Sequence, residues 1–378
     1  MMTPEQAIHD ILGAVRDLRP GVERVALDKA LGRILAHDFF APRNLPGFDN
    51  SAMDGYALRS EDTATATEDS IVDLDIVGEQ PAGVSRRLRV DKGQCARIFT
   101  GAPMPEGADA VVMQEDVKTL AGAIFLHEPV AKGEFIRKAG QDVCEGQKIL
   151  ALGTRLDDRH LGLLSALGVA DIDVFKPLRV AIVVTGSELR KPGESLESGE
   201  IYESNGLMLA AQIAKAGAMP VRLPLLRDDP AQIATALEAA LRCDAVVISG
   251  GMSVGAHDYV QTALNRCGVT PRFWRVAMKP GKPFLFSMKG RVPIFGLPGN
   301  PVSTFATFLI FVRPALRSMT GCTDTQDLTV RLPLGEKLVN DEKRWNYLRG
   351  VIRGGEGLFL RRTRLSYFSF AHPGKLPH

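Results

Sequence analysis

Four stretches of this chain hold residues suited to phosphate and cation chemistry, and each follows an apolar or β-branched run. RVAIVVT leads into Thr185, Gly186, Ser187 and Glu188, and VRLPLL leads into Arg227, Asp228 and Asp229. DAVVIS ends at Ser249 and leads into Gly250, Gly251, Met252, Ser253, Val254 and Gly255; VPIFG leads into Leu297, Pro298, Gly299, Asn300 and Pro301. Residues without a Cβ let successive backbone N–H groups approach an anion, and a helix starting just beyond adds about half a positive charge. The Ser-Gly-Gly turn taken alone equally describes an ordinary strand-to-helix turn. Several such loops on one sheet edge favour a ligand rim.

Glu188, Asp228 and Asp258 bring three carboxylates to that rim, where unpaired negative charges repel unless a cation or protons intervene. Hard oxygen donors beside phosphate favour Mg²⁺, which keeps several waters and bridges protein to polyphosphate. Each acid also has a structural reading: Glu188 as a first-turn helix acid, Asp228 as a second capping group beside Asp229, Asp258 as a plain N-cap. MKPGKP places Lys279 and Lys282 around a Pro-Gly turn, from which two ammonium groups are expected to overhang the same edge; solvated surface lysines are the alternative. His257 beside Asp258 reads as an incidental exposed histidine rather than a general base.

The elements that must position these residues follow from periodicity and caps. Thr3, Pro4 and Gln6 form an N-cap, first helical residue and capping-box partner, with Ile8, Ile11, Leu12 and Val15 at helical spacing. The turn-rich PRNLPG, 42–47, places a domain boundary near Leu45. Between 70 and 147, short runs such as IVDLDIV, ADAVVMQE and AIFLHEPV alternate with turn clusters, which predicts a small all-β insertion. From Leu178 strands and helices alternate, with Ser204 and Asp229 as predicted N-caps and a long apolar helix from STFATFLIFVRPALRSM closing the unit near Gly321. The predicted fold is α/β: a parallel sheet covered by helices on both faces, with ligands beyond the carboxyl ends of the strands.

At 378 residues, the chain exceeds one ordinary domain. Its 46 basic residues nearly balance 44 acidic ones, so no global field favours nucleic acid or a membrane surface, and an anion site must be built locally. The five cysteines are scattered without a C-x-x-C pair, which points to free thiols rather than a zinc site or disulfide framework. No run of about 18 apolar residues is present and the N-terminus opens directly into a helix signal, so a cytoplasmic protein without a membrane partner is expected.

The sequence resembles the MoeA family of molybdopterin molybdenumtransferases, which includes the gephyrin E-domain. The motifs are PGFDNSAMDGYA (46–57), RIFTGAPMPEGADAVVMQED (97–116), GQDV (140–143), VTGSEL (184–189), SGGMSVGAHDY (249–259), MKPGKP (278–283) and GLPGNPVS (296–303). The resemblance implies an N-terminal helix over 1–25 packed on domain III, an elongated linker domain I (26–45 and 147–176) and a β insertion as domain II (46–146). It further implies a MogA-like α/β domain III (177–322) and a C-terminal β-barrel domain IV (323–378). Family members are dimers, so Asp54, Thr100 and Asp142 of one subunit are expected to face Glu188, Asp228, Asp258, Lys279 and Lys282 of the other. The implied reaction places molybdate on adenylylated molybdopterin with Mg²⁺-dependent release of AMP, the substrate coming from the molybdopterin adenylyltransferase. Thr185, Gly186, Ser253, the 249–251 turn and the 298–301 loop would hold phosphate and pterin, and Lys279, Lys282 and Arg349 the oxyanions. Asp54, Thr100 and Asp142 also have plain turn roles.

The C-terminus departs from the family. LTVRLPLGEKL, NYLRGVIR and EGLFLRRTRL read as barrel strands, but SYFSFAHPGKLPH lacks the Ser-Gly-rich loop and final apolar strands, so the barrel is expected to be truncated. Arg275 stands where some relatives carry lysine. Two alternatives remain open at this level: a molybdopterin adenylyltransferase-like nucleotide enzyme, and a non-catalytic molybdopterin-binding scaffold.

Overall fold

A computed structural model describes residues 1–83, 88–251, 259–325, 329–333, 344–353, 356–359 and 368–371. The chain forms two compact units. One comprises Met1–His37, Leu152–Asp158 and Asp171–His378; the other comprises Asp38–Ala151 and Arg159–Ala170.

In the first unit, alternation along buried strands decides the layers. Val180, Ile182 and Val184 of the strand Arg179–Val184 face one core, with Leu209, Ile213, Phe308 and Phe311. Ala181 and Val183 face a second core, with Ile233, Leu237, Val260 and Leu264. A period of two on a strand buried on both faces requires helices on both sides. The helices Pro4–Val15 and Asn205–Lys215 and the 301–319 segment supply one layer; Pro230–Ala240 and Tyr259–Arg266 supply the other. The N-terminal capping box forms as the sequence specifies, with the Thr3 and Gln6 side chains each bonding the other's backbone N–H.

The six strands run in the order Met219–Arg222, Arg179–Val184, Ala245–Ser249, Val292–Leu297, Leu285–Lys289, Pro271–Trp274. The first four are mutually parallel, but the last two run antiparallel to their neighbours, so the sheet is mixed rather than parallel. The cause is local: Lys289 pairs with Val292 across a two-residue connection in which Gly290 adopts φ +58°, and so short a link can only reverse the chain. The long apolar helix also differs in detail. Pro301–Thr307 and Arg313–Met319 are joined by a π-helical turn, Phe308–Val312. Pro314 has no N–H and its ring would meet the Ile310 carbonyl of a regular helix, which the wider turn avoids.

The second unit is built on a six-stranded sheet in the order Ala110–Met113, Gly55–Leu58, Gln94–Ile98, Val72–Gln80, Ala123–Leu126, Lys118–Leu120. Tyr56 and Leu58 enter one core with Leu74, Ile124 and Leu126, while Ala57 enters another with Ile98 and Val111. At Gly55 a Cβ would lie 1.9 Å from the Val112 carbonyl oxygen, so glycine is required for the strands to approach. Around the turn at 42–47, Phe39–Phe40 pairs with Lys148–Leu150 and Leu45 is bonded to Val143.

Beyond Gly321, the strand Trp345–Arg353 pairs with Met278–Lys279, Glu356–Phe359 and Phe368–Ala371. Among the described residues these pairings form one sheet, and they do not by themselves close a barrel. Of LTVRLPLGEKL, the described residues 329–333 form no strand.

Candidate functional site

The carboxyl ends of three parallel strands meet at backbone distance. Thr185 N–H donates to the Ser249 carbonyl (3.1 Å) and Gly186 N–H to the Leu226 carbonyl (3.1 Å), so the loops after Val184, Arg222 and Ser249 are stitched together. Buried Thr185 places its Oγ1 2.8 Å from Asp228 Oδ1 and 3.0 Å from the Arg227 carbonyl. Ser187 N–H points at Asp228 Oδ2 (3.4 Å), and Asp228 N–H donates to Ser187 Oγ (3.2 Å). Asp228 is thus held by the neighbouring strand's loop. Asp229 alone caps the following helix, accepting from Ala231 N–H at 2.8 Å, and that bond holds its carboxyl below the usual range. The capping reading of Asp228 is thereby excluded.

The glycines are what allow this approach. A Cβ on Gly250 (φ +97°) would sit 2.0 Å from the Thr185 carbonyl oxygen, and one on Gly251 (φ +62°) 3.0 Å from Thr185 Cγ2 and 3.9 Å from Asp228 Oδ1. From the neighbouring strand, a Cβ on Gly299 would lie 3.7 Å from Gly250 Cα. Exposed Glu188 turns back over Gly186, its Oε2 2.9 Å from where a Gly186 Cβ would be. Its carboxylate makes no hydrogen bond to a described residue. Asn300 caps Pro301–Thr307 through Val302 N–H (3.0 Å) and Ser303 N–H (3.4 Å), while Pro301 fills the first helical position.

Sequence reasoning missed Asn205. Its Nδ2 donates to Ser249 Oγ (3.0 Å) and to the Gly299 carbonyl (2.8 Å), while its buried Oδ1 has no partner among the described residues. A stranded acceptor costs about 1–3 kcal/mol. The predicted cap Ser204 makes no capping bond; Glu203, buried and 3.5 Å from Arg222, accepts from Gly206 N–H instead. The signal was the Glu-Ser-Asn run itself, in which three polar residues each suit a cap and only packing selects among them.

Two family matches divide the chain in sequence. The family described as "MoeA N-terminal region (domain I and II)" matches residues 2–168, and "Probable molybdopterin binding domain" matches 181–318, the segment that carries this rim. Molybdopterin molybdenumtransferase 2 of Mycobacterium tuberculosis is 41% identical over 308 residues, covering 79% of this chain and 76% of its own. The chain belongs to the molybdopterin molybdenumtransferase family. A member from Nostoc is 35% identical over 94% of this chain and 84% of its own. The solved MoeA protein of Pyrococcus horikoshii OT3 is 32% identical with a TM-score of 0.85, covering 96% of this chain and 91% of its own.

The remaining residues singled out by the molybdenumtransferase motifs fall elsewhere. In the second unit, Asp54 Oδ1 accepts from Thr100 N–H (2.7 Å) and Oγ1 (2.8 Å), which hold its carboxyl below the usual range, with Arg97 adding a smaller attraction. Arg97 lies 5.0 Å over the Tyr56 ring and 5.3 Å over Phe99. Asp142 is exposed; its N–H donates to the Leu45 carbonyl and its carboxylate has no partner among the described residues. In the first unit Lys279 and Lys282 are exposed, but Gly281 between them packs on Thr307, 2.6 Å from a Cβ position. That is the far end of the Pro301–Thr307 helix, about 9 Å along its axis from the 298–301 loop. Half-buried Arg349 lies on Trp345–Arg353, paired with Phe368. Ser253, His257 and Asp258 lie outside the described residues. No group of three metal-binding side chains occurs among the described ones, and all five cysteines are free. No described helix is long and apolar enough to cross a membrane.

Proposed function

We propose that this molybdenumtransferase-family chain inserts molybdate into adenylylated molybdopterin, joining it to the dithiolene sulfurs and cleaving the phosphoanhydride to release AMP. The observation that carries this reading is Asp228, fixed by Thr185 and Ser187 beside the 250–251 glycine turn rather than spent on a helix cap. A carboxylate at such a place serves a ligand.

Mg²⁺ suits this donor set. From the described residues each Asp228 oxygen accepts one hydrogen bond, which leaves lone pairs for a cation, and Glu188 offers a carboxylate without a described partner. Glu188 and Asp228 would hold the cation, with Asp258 assigned to the same set from sequence; when bound it neutralises charge at the anhydride. The chain's own groups do the rest. Backbone N–H groups around Thr185, Gly186, Ser249, Gly250 and Gly251, with Ser253, receive phosphate oxygens, and the loop of Pro298, Gly299, Asn300 and Pro301 receives the pterin end. Lys279, Lys282 and Arg349 attract the oxyanion substrate.

The family resemblance extends the proposal to a cytoplasmic homodimer, supplied by the adenylyltransferase, in which Asp54, Thr100 and Asp142 of one subunit complete the site of the other. It also supports reading the strands after Gly321 as part of a barrel. The deciding experiment is AMP release from adenylylated molybdopterin with Mg²⁺ and molybdate. Release that requires both ions supports the proposal. AMP formation that instead needs ATP and molybdopterin would identify an adenylyltransferase, and binding without turnover a scaffold.

A further inference from the structure

The two loops assigned to phosphate and pterin come from different strands, and their spacing must be set by something. Their backbones already lie close, a Gly299 Cβ position being 3.7 Å from Gly250 Cα. The ladder between their strands runs up to the Ser249–Leu297 pair; beyond it Ser249 Oγ reaches the Pro298 carbonyl at only 3.4 Å. Asn205, at the start of the Asn205–Lys215 helix and 8% exposed, reaches both with one amide nitrogen, at 3.0 Å to Ser249 Oγ and 2.8 Å to the Gly299 carbonyl. Flipping the amide would set its oxygen against the Gly299 carbonyl, so the donor orientation is fixed. The consequence is an Oδ1 that is buried and accepts nothing from the described residues. What sets this amide apart is its two donor bonds, one to each loop.

We infer that Asn205 is a positioning residue for the reaction, setting the gap between the 249–251 turn and the 298–301 loop and hence the fit of a ligand carrying both a phosphate and a pterin end. This inference rests on the function proposed above. Asn205 itself touches no reacting atom; it acts through Ser249 and Gly299. The effect on the reaction therefore belongs in substrate binding, separate from whatever stability the two buried hydrogen bonds contribute.

The test measures kcat and KM for AMP release, molybdopterin binding by fluorescence, and the thermal unfolding midpoint. Asn205→Asp keeps the shape but replaces the donor with an oxygen that repels the Gly299 carbonyl. KM and the molybdopterin dissociation constant should rise about tenfold or more, with kcat changed less and the midpoint held within a few degrees. If Asn205→Asp does not fold, Asn205→Ala, which removes the donor and the stranded acceptor together, carries the same reading. Adding Ser249→Ala to Asn205→Ala should raise KM little further, since the two share one path. Gln212, two turns along the same helix and also buried without partners among the described residues, is the control: Gln212→Leu should leave KM and kcat at wild-type values. Wild-type KM in both Asn205 variants, independent multiplying effects of Asn205→Ala and Ser249→Ala, or an equal KM rise in Gln212→Leu overturns the inference. A wild-type protein that binds molybdopterin but releases no AMP sinks the proposed reaction while Asn205 is still judged by the dissociation constants; no binding at all overturns both.

Discussion

Among single residues, Asp228 shows how a hydrogen-bond partner separates readings that sequence leaves level. Two aspartates stand side by side before a helix, either fit to cap it, and only the geometry gives the cap to Asp229 and the rim to Asp228. Replacing Asp228 strands nothing essential, because Thr185 Oγ1 retains the Arg227 carbonyl at 3.0 Å. Asp228→Ala and Glu188→Ala should therefore keep the wild-type unfolding midpoint while AMP release falls roughly 10²- to 10³-fold, the range for losing one electrostatic stabiliser. Normal turnover in both would end the assignment. In the other unit, Asp54 is held below the usual carboxylate range chiefly by the Thr100 N–H and then by its hydroxyl. A folded pKa below the unfolded one gives stability that is present above the unfolded pKa and lost as pH falls through the folded value. Thr100→Ala keeps the N–H bond but removes the hydroxyl, so the Asp54 carboxyl should titrate at higher pH in the variant, as followed by carbon NMR.

For the secondary-structure elements, local chemistry was legible wherever one residue type had one job. Pro4 and Pro230 mark two helix starts, capped by Thr3 and Asp229 as the sequence indicates, whereas the third helix starts at Pro301 under an Asn300 cap, two residues before the expected Ser303. Asn300→Ala should lower stability by about 1 kcal/mol, the usual worth of such a cap, read from urea unfolding. Where several residues could do the job, sequence chose wrongly: Ser204 was the expected cap, yet Glu203 accepts from Gly206 N–H, because burial beside Arg222 leaves its carboxylate facing the helix end. The glycine turn carries a sharper expectation. Gly250→Ala would drive a Cβ to 2.0 Å from the Thr185 carbonyl and forces a left-handed φ on alanine, so it should part the loops and abolish AMP release. Retention of full activity with an unchanged melting profile would show that the loop approach is dispensable.

At the scale of the whole molecule, the proposed homodimer makes a prediction that no single chain can. If Asp54 and Glu188 serve the same site from different subunits, Asp54→Ala and Glu188→Ala are each inactive alone. Co-expressed, half of the dimers are mixed and each has one intact site of two, so roughly a quarter of wild-type AMP release should return. Absence of any recovery, with mixed dimers confirmed by mass spectrometry, would place both groups in one subunit. By itself the sequence determined the α/β class, the β insertion, the strand-end loops and the family motifs, because these depend on periodicity, caps and short contiguous runs. Only the tertiary structure decided the reversed strand Leu285–Lys289, the π-helical turn before Pro314, the strand pairing after Gly321 and the separation of Asp228 from Asp229. It alone also exposed Asn205, whose neighbours Ser249 and Gly299 are 44 and 94 residues away in the chain. Contacts between residues that far apart are fixed by how strands pack side by side, and no local pattern encodes them.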